Sequence, residues 1–421
     1  MPFKLLTILV CILAANVFAA ESQSEIRFIP LNSLTESVGN NSASAQAEKT
    51  DSKSLADSLY SIDFTQRDSL LNPYGIPEEL KPLWNSLSIR QKAAQMVMVY
   101  MTPADFMIKN EFGGYLVQKN HLADLNWFVD NIRKVNAAMP IKPFVAIDQE
   151  GGRVNRISVI SKKWEHTPSA MQMRRMPDDS VYGIAQKIGA LLDSVGVNMN
   201  LAPVLDPATD SRHLKSFMEE SGRSWGDDSL ALSKIRAFVR GMRDNHVICV
   251  SKHFPGYDSW TNSDLQISVS ATPVQRIKSN VKVFESLAND IPVTMVSSVR
   301  YVRLSSRPAV FESKIVKMAH DMSPDMVVLT DDLWGTSLRA WISGKERARG
   351  RTYPAEDFRK LVRTALLAGN DIFMITYPQK AVEMVNYLVA FSRQNKKYRA
   401  RIEESAARIL KMKYKAGLIG H

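Results

Sequence analysis

Short apolar segments alternate with amphipathic helical patterns along most of the chain, and this alternation constrains the fold more than any other feature. Eight apolar segments have the length and composition of buried strands, namely residues 95–100, 114–117, 144–148, 198–202, 247–252, 293–297, 326–331 and 371–375. Helical patterns lie between most of them and after the last, namely residues 121–138, 180–194, 229–245, 274–289, 355–368, 380–393 and 398–415. Because strands that alternate with helices form parallel sheets, eight such units predict an α/β fold, a single (β/α)8 barrel of the TIM type. A doubly wound open sheet is the alternative, but no glycine-rich nucleotide loop follows an early strand.

The first 19 residues have the features of a secretion signal. Lys4 supplies a positive start, residues 5–15 form an apolar run, and Val-Phe-Ala at 17–19 is a small-residue cleavage site. The apolar run is too short to span a membrane as a helix of the mature protein. We therefore expect an exported protein, periplasmic or extracellular, without a stable membrane span.

The segment that follows the signal differs in composition from the rest of the chain. Residues 20–75 are rich in Ser, Asn, Ala and charge, which predicts a low-complexity or poorly ordered lead-in, with the barrel at 76–421. Once the signal is removed, Cys249 is the only cysteine, and its place in an apolar strand predicts a core thiol. The net charge of +11 is not gathered in a nucleic-acid-binding motif, and no Cys/His spacing is typical of zinc sites. We therefore expect neither a nucleic-acid partner nor a metal.

Charged side chains follow several of the predicted strands. Lys252 and His253 stand side by side at the end of the fifth strand, just before Pro255 and Gly256. Two polar side chains at the mouth of a buried strand are unfavourable unless they bind something, although a structural ion pair is an alternative. Similar segments follow the third, fourth and seventh strands, namely residues 148–156, 203–206 with 222–228, and 331–332. Because substrates bind at the carboxyl ends of barrel strands, these side chains predict a site there; helix capping explains one carboxylate more easily than four.

These segments resemble glycoside hydrolase family 3, and most closely its single-domain bacterial β-N-acetylglucosaminidases (β-N-acetylhexosaminidases), which act on peptidoglycan fragments. The matching segments are Ile-Asp-Gln-Glu-Gly-Gly-Arg-Val at 147–154, Asn-Leu-Ala-Pro-Val-Leu-Asp at 200–206, Gly-Arg-Ser-Trp-Gly-Asp-Asp at 222–228, Lys-His-Phe-Pro-Gly at 252–256, Leu-Thr-Asp-Asp-Leu at 329–333 and Ala-Arg-Ile-Leu-Lys-Met-Lys at 407–413. Together they cover about residues 87–419. Each segment alone is a weak signal, but the combination is specific. The resemblance implies a carbohydrate substrate, no cofactor and no metal.

The resemblance also implies a role for each matching residue. Asp331 corresponds to the nucleophile that forms a covalent glycosyl–enzyme intermediate, and Asp332 beside it is the alternative. The residues that correspond to ligands of the terminal sugar are Asp148, Arg156, Arg223, Lys252 and His253. Charged side chains of these types make strong hydrogen bonds to sugar hydroxyls, and neighbouring cations favour an ionised nucleophile. Trp225, Trp260 and Trp334 are candidates either for stacking on a sugar face or for packing.

The loop after residues 252–256 departs from the family. Its acetylglucosaminidases carry a His as general acid/base, paired with an Asp two residues earlier, in the pattern His-Gly-Asp-Thr-x-x-Asp-Ser-His. Residues 257–264 read Tyr-Asp-Ser-Trp-Thr-Asn-Ser-Asp. With one residue deleted, Asn262 replaces the dyad Asp and Asp264 replaces the His. After the sixth strand, Ser298 stands where relatives carry a His.

Three interpretations of this loop stay open. In the first, Asp264 itself acts as acid/base with a raised pKa, and water rather than an anion is the acceptor. In the second, the enzyme cleaves only substrates with good leaving groups. In the third, an inactive barrel binds a cell-envelope sugar or a partner. Asp258 is a further acid/base candidate, because the deletion leaves the loop alignment open. The expected reaction is release of a terminal β-linked N-acetylglucosamine, although no residue selects the acetamido group, so another terminal sugar is an alternative.

Overall fold

The centre of the molecule is a parallel barrel, seen in the computed structural model, which describes residues 72–208, 215–345 and 352–420. The strands are β1 (Val97–Tyr100), β2 (Gly114–Val117), β3 (Phe144–Ile147), β4 (Met199–Asn200), β5 (Ile248–Phe254), β6 (Val269–Ser270), β7 (Val293–Val296), β8 (Arg300–Tyr301), β9 (Val327–Thr330) and β10 (Phe373–Ile375). Eight of them form one sheet in the order β10-β1-β2-β3-β4-β5-β7-β9, and every pairing is parallel. A parallel bridge between Leu329 and Ile372 joins the two end strands and closes the barrel. The predicted (β/α)8 fold is confirmed.

Helices surround the barrel. They are α1 (Lys81–Ser86), α2 (Ile89–Gln95), α3 (Ala104–Asn110), α4 (Lys119–Leu122), α5 (Leu125–Ala138), α6 (Ala170–Met173), α7 (Asp178–Ser194), α8 (Phe217–Glu220), α9 (Ser229–Arg243), α10 (Val274–Glu285), α11 (Ser313–His320), α12 (Thr336–Ser343), α13 (Ala355–Ala368), α14 (Pro378–Gln394) and α15 (Lys396–Lys415). The predicted helix over residues 121–138 is wrong in its first turn. Asp124 accepts a hydrogen bond from the backbone N–H of Trp127 and so starts a new helix there.

The strands are apolar on both faces because side chains fill the barrel interior on one side and helices cover the other. The residues of β2, β3, β7 and β9 are all buried. The last helix, α15, packs its predicted apolar face, with Ile402, Ala406 and Ile409 fully buried. Its cations also bind the barrel, because Arg401 and Arg408 both contact Oδ1 of the buried Asp371, at 2.7 and 2.8 Å.

A small second sheet lies beside the barrel, and the sequence analysis missed it. Strands β6 and β8 pair in parallel, with Ser270 opposite Tyr301. Both of these side chains are buried, and Tyr301 Oη donates a 2.7 Å hydrogen bond to the carbonyl of Gly256. Strands of two residues show no periodicity in a sequence. This sheet fixes the loop between β5 and β6.

The predicted signal at residues 1–19 lies outside the described residues, as does the lead-in as far as residue 71. Residues from Asn72 onward belong to one compact unit. The side chain of Asn72 binds both the N–H and the C=O of Ile76, each at 2.8 Å. The unit therefore includes residues 72–75, which the sequence analysis placed in the lead-in. Cys249 is buried, as predicted, and none of the helices described is long and apolar enough to cross a membrane.

Candidate active site

A cavity of about 520 Å³ opens at the carboxyl ends of the barrel strands. It is lined by the predicted nucleophile, by Asp264 and by all five predicted sugar ligands, namely Asp331, Asp264, Asp148, Arg156, Arg223, Lys252 and His253. They come from the end of β5 and from the segments after β3, β4, β5 and β9, which explains how positions far apart in the sequence meet. The structure therefore brings the predicted residues together, while their individual roles stay predictions.

Two carboxylates and two cations form a cluster in the wall of this cavity. Lys252 Nζ lies 2.7 Å from Asp148 Oδ1 and 2.6 Å from Glu150 Oε1. Arg223 binds Glu150 through both ends of its guanidinium, with Nε–Oε2 at 2.7 Å and Nη2–Oε1 at 2.8 Å. The sequence analysis missed Glu150, although it stands two residues after Asp148 in the quoted motif. Its role depends on a contact with Arg223, 73 positions away.

All members of the cluster that show a pKa shift are shifted towards the charged form. Burial opposes the charge on Glu150, but Arg223 and Lys252 outweigh it and lower the pKa of this carboxyl. Burial likewise opposes the charge on Lys252, yet Asp148 and Glu150 raise the pKa of its amine. The cluster therefore presents fixed, opposite charges to the cavity. Such groups bind a ring of sugar hydroxyls through charge-assisted hydrogen bonds.

The loop from 148 to 156 folds tightly so that Arg156 reaches the same wall. Gln149 Oε1 accepts a 2.8 Å hydrogen bond from the backbone N–H of Arg156. Gly151 adopts a φ of 88°, and a Cβ at this position would lie 2.0 Å from the carbonyl oxygen of Pro168. Arg156 Nη2 lies 4.0 Å from Asp148 Oδ2, and its Nε is buried without a hydrogen-bond partner among the described residues. Arg156 thus adds a second guanidinium to the charged wall of the cavity.

His253 is held by a buried carboxylate. Its Nδ1 lies 2.8 Å from Asp206 Oδ2, and its backbone N–H donates to Asp206 Oδ1 at 2.9 Å. The N–H of Tyr257 donates to the same oxygen at 2.7 Å. Because a carboxylate only accepts, Nδ1 carries the proton of this hydrogen bond. Asp206 therefore fixes the tautomer of His253 and shapes the chain that follows β5.

Both carboxylate oxygens of Asp331 accept hydrogen bonds. Ser298 Oγ donates to Oδ2 at 2.7 Å, and the backbone N–H of Asp332 donates to Oδ1 at 2.8 Å. Ser298 thus contacts the predicted nucleophile directly from the end of β7. These two donors orient the carboxylate.

Both carboxylate oxygens of Asp332, the alternative nucleophile, accept hydrogen bonds from the protein. Its Oδ1 accepts from the N–H groups of Trp334 and Thr376, both at 3.0 Å, and its Oδ2 accepts from Thr376 Oγ1 at 2.7 Å. Burial raises the pKa of Asp332 to about 6. A carboxylate with these bonds ties the segment after β9 to the end of β10 and is poorly placed to attack a substrate.

The two candidates for the acid/base lie in different places. Asp264 lines the cavity at its solvent-accessible mouth, and its N–H donates to Asn262 Oδ1 at 2.9 Å. The surrounding protein desolvates its carboxyl and thereby raises the pKa of Asp264, with the charge of Asp331 acting in the same direction. Asp258 lies outside the cavity lining, and its Oδ2 accepts from the hydroxyls of Ser270 and Thr272. The structure therefore does not place Asp258 around the cavity, because Ser270 and Thr272 bind its carboxylate outside the cavity lining.

The three tryptophans proposed for stacking or packing lie in different environments. Trp225 is a core residue packed against Phe238, with ring centroids 5.8 Å apart, so of its two alternatives the packing role holds. Trp334 lines the cavity, and the guanidinium of Arg339 lies 4.4 Å from the centre of its ring. Trp260 is 68% exposed and is not part of the cavity lining. Among the residues described, no group of three His, Cys, Asp or Glu side chains could hold a metal ion.

Comparison with known proteins connects this geometry to a family. The family model "Glycosyl hydrolase family 3 N terminal domain" matches residues 88–412. A β-hexosaminidase from Pseudomonas aeruginosa is 27% identical over 266 residues, which cover 60% of this chain and 73% of the relative. The β-hexosaminidase LpqI of Mycobacterium tuberculosis is 26% identical over 361 residues, which cover 82% and 86%.

Solved structures agree with this family at the level of the fold. The β-N-acetylhexosaminidase from Beutenbergia cavernae superposes with a TM-score of 0.65 at 25% identity, covering 78% of this chain and 99% of that one. The structure of M. tuberculosis LpqI gives a TM-score of 0.68 at 24% identity, covering 80% and 97%. The chain therefore belongs to glycosyl hydrolase family 3 and is similar to its β-N-acetylhexosaminidases.

Proposed function

We propose that this protein is a retaining exo-glycosidase that releases a terminal β-linked N-acetylhexosamine through a covalent intermediate on Asp331. The observation that carries the proposal is the setting of Asp331. Its carboxylate is oriented by Ser298 and lines the same cavity as the charged cluster around Lys252. A retaining mechanism requires a carboxylate nucleophile beside the bound sugar and a second group that serves as acid and then as base.

In the first step, an oxygen of Asp331 attacks the anomeric carbon and the bond to the leaving oxygen breaks. The carboxyl group of Asp264 gives its proton to that oxygen, so that a neutral alcohol leaves. In the second step, the Asp264 carboxylate takes a proton from water, and the water oxygen displaces Asp331 from the anomeric carbon. The sugar leaves with its original configuration and both carboxyl groups return to their starting states.

The electrostatics support this assignment for Asp264. Desolvation and the negative charge of Asp331 raise the pKa of Asp264, which favours the protonated form that an acid needs. When Asp331 becomes an ester in the intermediate, its negative charge disappears. The pKa of Asp264 then falls, which favours the base that the second step needs. The same group can thus serve both steps.

The sugar and the cellular location belong to the proposal. The relatives carry the name β-hexosaminidase, which supports an N-acetylhexosamine in the terminal subsite. In that subsite we assign Asp148, Arg156, Arg223, Lys252 and His253 to the sugar hydroxyls. Export, to the periplasm or beyond, is proposed from the signal-like sequence of residues 1–19, with cell-wall or related glycans as substrates.

Turnover and product stereochemistry test this proposal. The protein that begins at residue 20 is incubated with an aryl N-acetyl-β-glucosaminide, and the anomer first formed is identified by proton NMR. We expect the β-anomer first, and loss of turnover in Asp331→Asn. Release of the α-anomer would contradict a retaining mechanism. A panel of other aryl β-glycosides tests the terminal sugar.

A second candidate function is favoured by one observation, the replacement of the family's Asp-His dyad by Asn262 and Asp264. In that case the barrel binds an envelope sugar without cleaving it. Calorimetry would then show binding of N-acetylglucosamine oligosaccharides by the parent and by Asp331→Asn alike, with no product from either protein.

A further inference from the structure

Four large apolar side chains are exposed on the loop after β5 and at the small sheet that fixes this loop: Trp260, Leu265, Val269 and Val302, here called the mouth platform. Trp260 and Leu265 are the most exposed, at 68% and 67%. They flank the segment 262–264, which lines the cavity. Exposed apolar groups gathered beside a pocket mark a binding surface more often than chance exposure.

The backbone that carries the mouth platform is fixed. Tyr257 is buried, and its Oη donates to the carbonyl of Thr261 and accepts from the N–H of Ser263 at 2.9 Å. Ser268 Oγ accepts from Thr261 Oγ1 at 2.9 Å. Trp260 and Val269 each neighbour one member of this Thr261–Ser268 pair. These bonds hold the two parts of the platform together, while the Trp260 and Leu265 side chains stay in solvent.

The small sheet adds the remaining part of the mouth platform. Ser270 and Tyr301 point into the protein, and Val302 donates its N–H to the carbonyl of Ser270 at 3.0 Å. Because side chains alternate along a strand, Val269 lies on the opposite, outer face, beside its strand partner Arg300. Val302 follows β8 in a turn, and both valines are exposed, at 38% and 43%. The sheet and this turn therefore add two exposed apolar side chains after the loop that carries Asp264.

The position of Asp264 indicates what would cover this surface. If Asp264 protonates the leaving oxygen, which is the proposed function on which this step rests, the group attached to that oxygen must lie beside Asp264. Asp264 is at the solvent-accessible mouth, with Leu265 next in the chain. A leaving group longer than one sugar would then pass over the mouth platform as it leaves the cavity.

We infer that the mouth platform is a binding site for the aglycone sugars of an oligosaccharide substrate, with the indole of Trp260 stacked on a pyranose ring. A pyranose presents C–H groups on its face and hydroxyls at its edge. It therefore fits a flat aromatic side chain that leaves the ring edge in water. The site selects glycan chains over simple alkyl glycosides.

The test compares two substrates that need the same acid catalysis but differ in reach. Methyl N-acetyl-β-glucosaminide carries only a methyl group on its leaving oxygen, whereas N,N′,N″-triacetylchitotriose is long enough to extend over the mouth platform. Release of N-acetylglucosamine is measured chromatographically for the parent, Trp260→Ala, Trp260→Phe and Leu230→Ala. Leu230 is the matched control, because it is 50% exposed but lies on α9.

We expect Trp260→Ala to lower kcat/KM for the trisaccharide about two- to tenfold, mainly through KM, and to leave the methyl glycoside unchanged. Trp260→Phe should retain most of the trisaccharide activity, and Leu230→Ala should match the parent. In the Asp331→Asn background, calorimetry should show that Trp260→Ala weakens trisaccharide binding by the same factor, while binding of monomeric N-acetylglucosamine is unchanged.

Equal losses on both substrates, or no loss on either, would contradict the mouth platform as an aglycone site while leaving the proposed function intact. Unchanged sugar kinetics together with lost binding to anionic phospholipid vesicles would assign the surface to a membrane and overturn the inference. If the parent neither binds nor hydrolyses either compound, the proposed function is contradicted and this inference with it.

Discussion

Replacing Asp264 with alanine separates the two steps assigned to this residue. A methyl glycoside needs a proton on its leaving oxygen, whereas a dinitrophenolate leaves without one. General acid catalysis contributes roughly 10²–10⁴-fold in enzymes. Because Asp264 is accessible to solvent, water can replace part of its function. We therefore place the contribution of Asp264 to the rate in the lower half of that range. The expected loss in kcat/KM for the methyl glycoside is about 10²–10³-fold, or about 2.7–4 kcal/mol of transition-state stabilisation.

The dinitrophenyl N-acetyl-β-glucosaminide should keep its kcat/KM within about threefold in Asp264→Ala, since its first step does not need the acid. Its kcat should fall, because hydrolysis of the intermediate loses its base, and added azide should restore turnover and yield the β-glycosyl azide. Initial rates, azide titration and product NMR measure these effects, with Asp258→Asn as the control outside the cavity. Equal losses of kcat/KM on both substrates, or a larger loss in Asp258→Asn, would refute the assignment.

The pH dependence of kcat/KM should also differ between Asp264→Ala and the parent. An acid must be protonated, so kcat/KM of the parent on the methyl glycoside should fall as the pH rises through the pKa of Asp264. Desolvation and Asp331 raise this pKa, so the descending limb should lie at higher pH than for an ordinary Asp. The limb should be absent in Asp264→Ala and for the dinitrophenyl substrate. A descending limb that persists in Asp264→Ala would assign the acid to another group.

Three further predictions concern the residues that support the site and the core. Ser298→Ala removes the 2.7 Å hydrogen bond to Asp331 and should lower kcat about tenfold with little change in KM. Ser298→Thr keeps a hydroxyl and should retain activity. An effect on KM alone would contradict a positioning role for Ser298. Glu150→Gln leaves Arg223 and Lys252 without their shared buried partner and should cost about 3–5 kcal/mol of unfolding free energy in urea titrations; a change near zero would contradict the cluster. Burial lowers the pKa of Lys413, so the fold favours its neutral form, and the contribution of this group to the free energy of unfolding should rise with pH up to its unfolded-state pKa of about 10.4. Lys413→Met should therefore raise Tm at pH 7, by a margin that narrows towards pH 10; no gain at pH 7 would refute this.

The fold could be predicted because its signal repeats. Each strand is a short apolar run and most crossovers contain an amphipathic helix, so errors at single boundaries do not change the topology. The fifth strand was predicted to end at Lys252, but β5 runs on to Phe254. Its last residues are polar or stand before a proline, so their composition does not suggest a strand. Strands β6 and β8 are held by the burial of Ser270 and Tyr301, which no local pattern predicts.

The candidate site was predictable to the extent that its chemistry lies in short motifs at strand ends. Asp331, Lys252 and Asp148 stand in such motifs, and the structure places them around one cavity. What could not be predicted depends on pairings between distant segments. Glu150 gains its importance from Arg223, and Asp258 lies outside the cavity lining, with its carboxylate bound by Ser270. Neither contact has a signature in the local sequence.

The central claim is that Asp331 forms a covalent bond with the sugar, and peptide mass spectrometry tests it most directly. Asp264→Ala is mixed with the dinitrophenyl N-acetyl-β-glucosaminide. The glycosyl–enzyme intermediate should then accumulate, because its hydrolysis lacks a base. The protein is quenched in acid, digested and sequenced by mass spectrometry. We predict one N-acetylhexosamine residue on the peptide that contains Asp331, located on that side chain and released by azide. Dinitrophenolate release without any labelled peptide, or a label on Asp332, would contradict the mechanism.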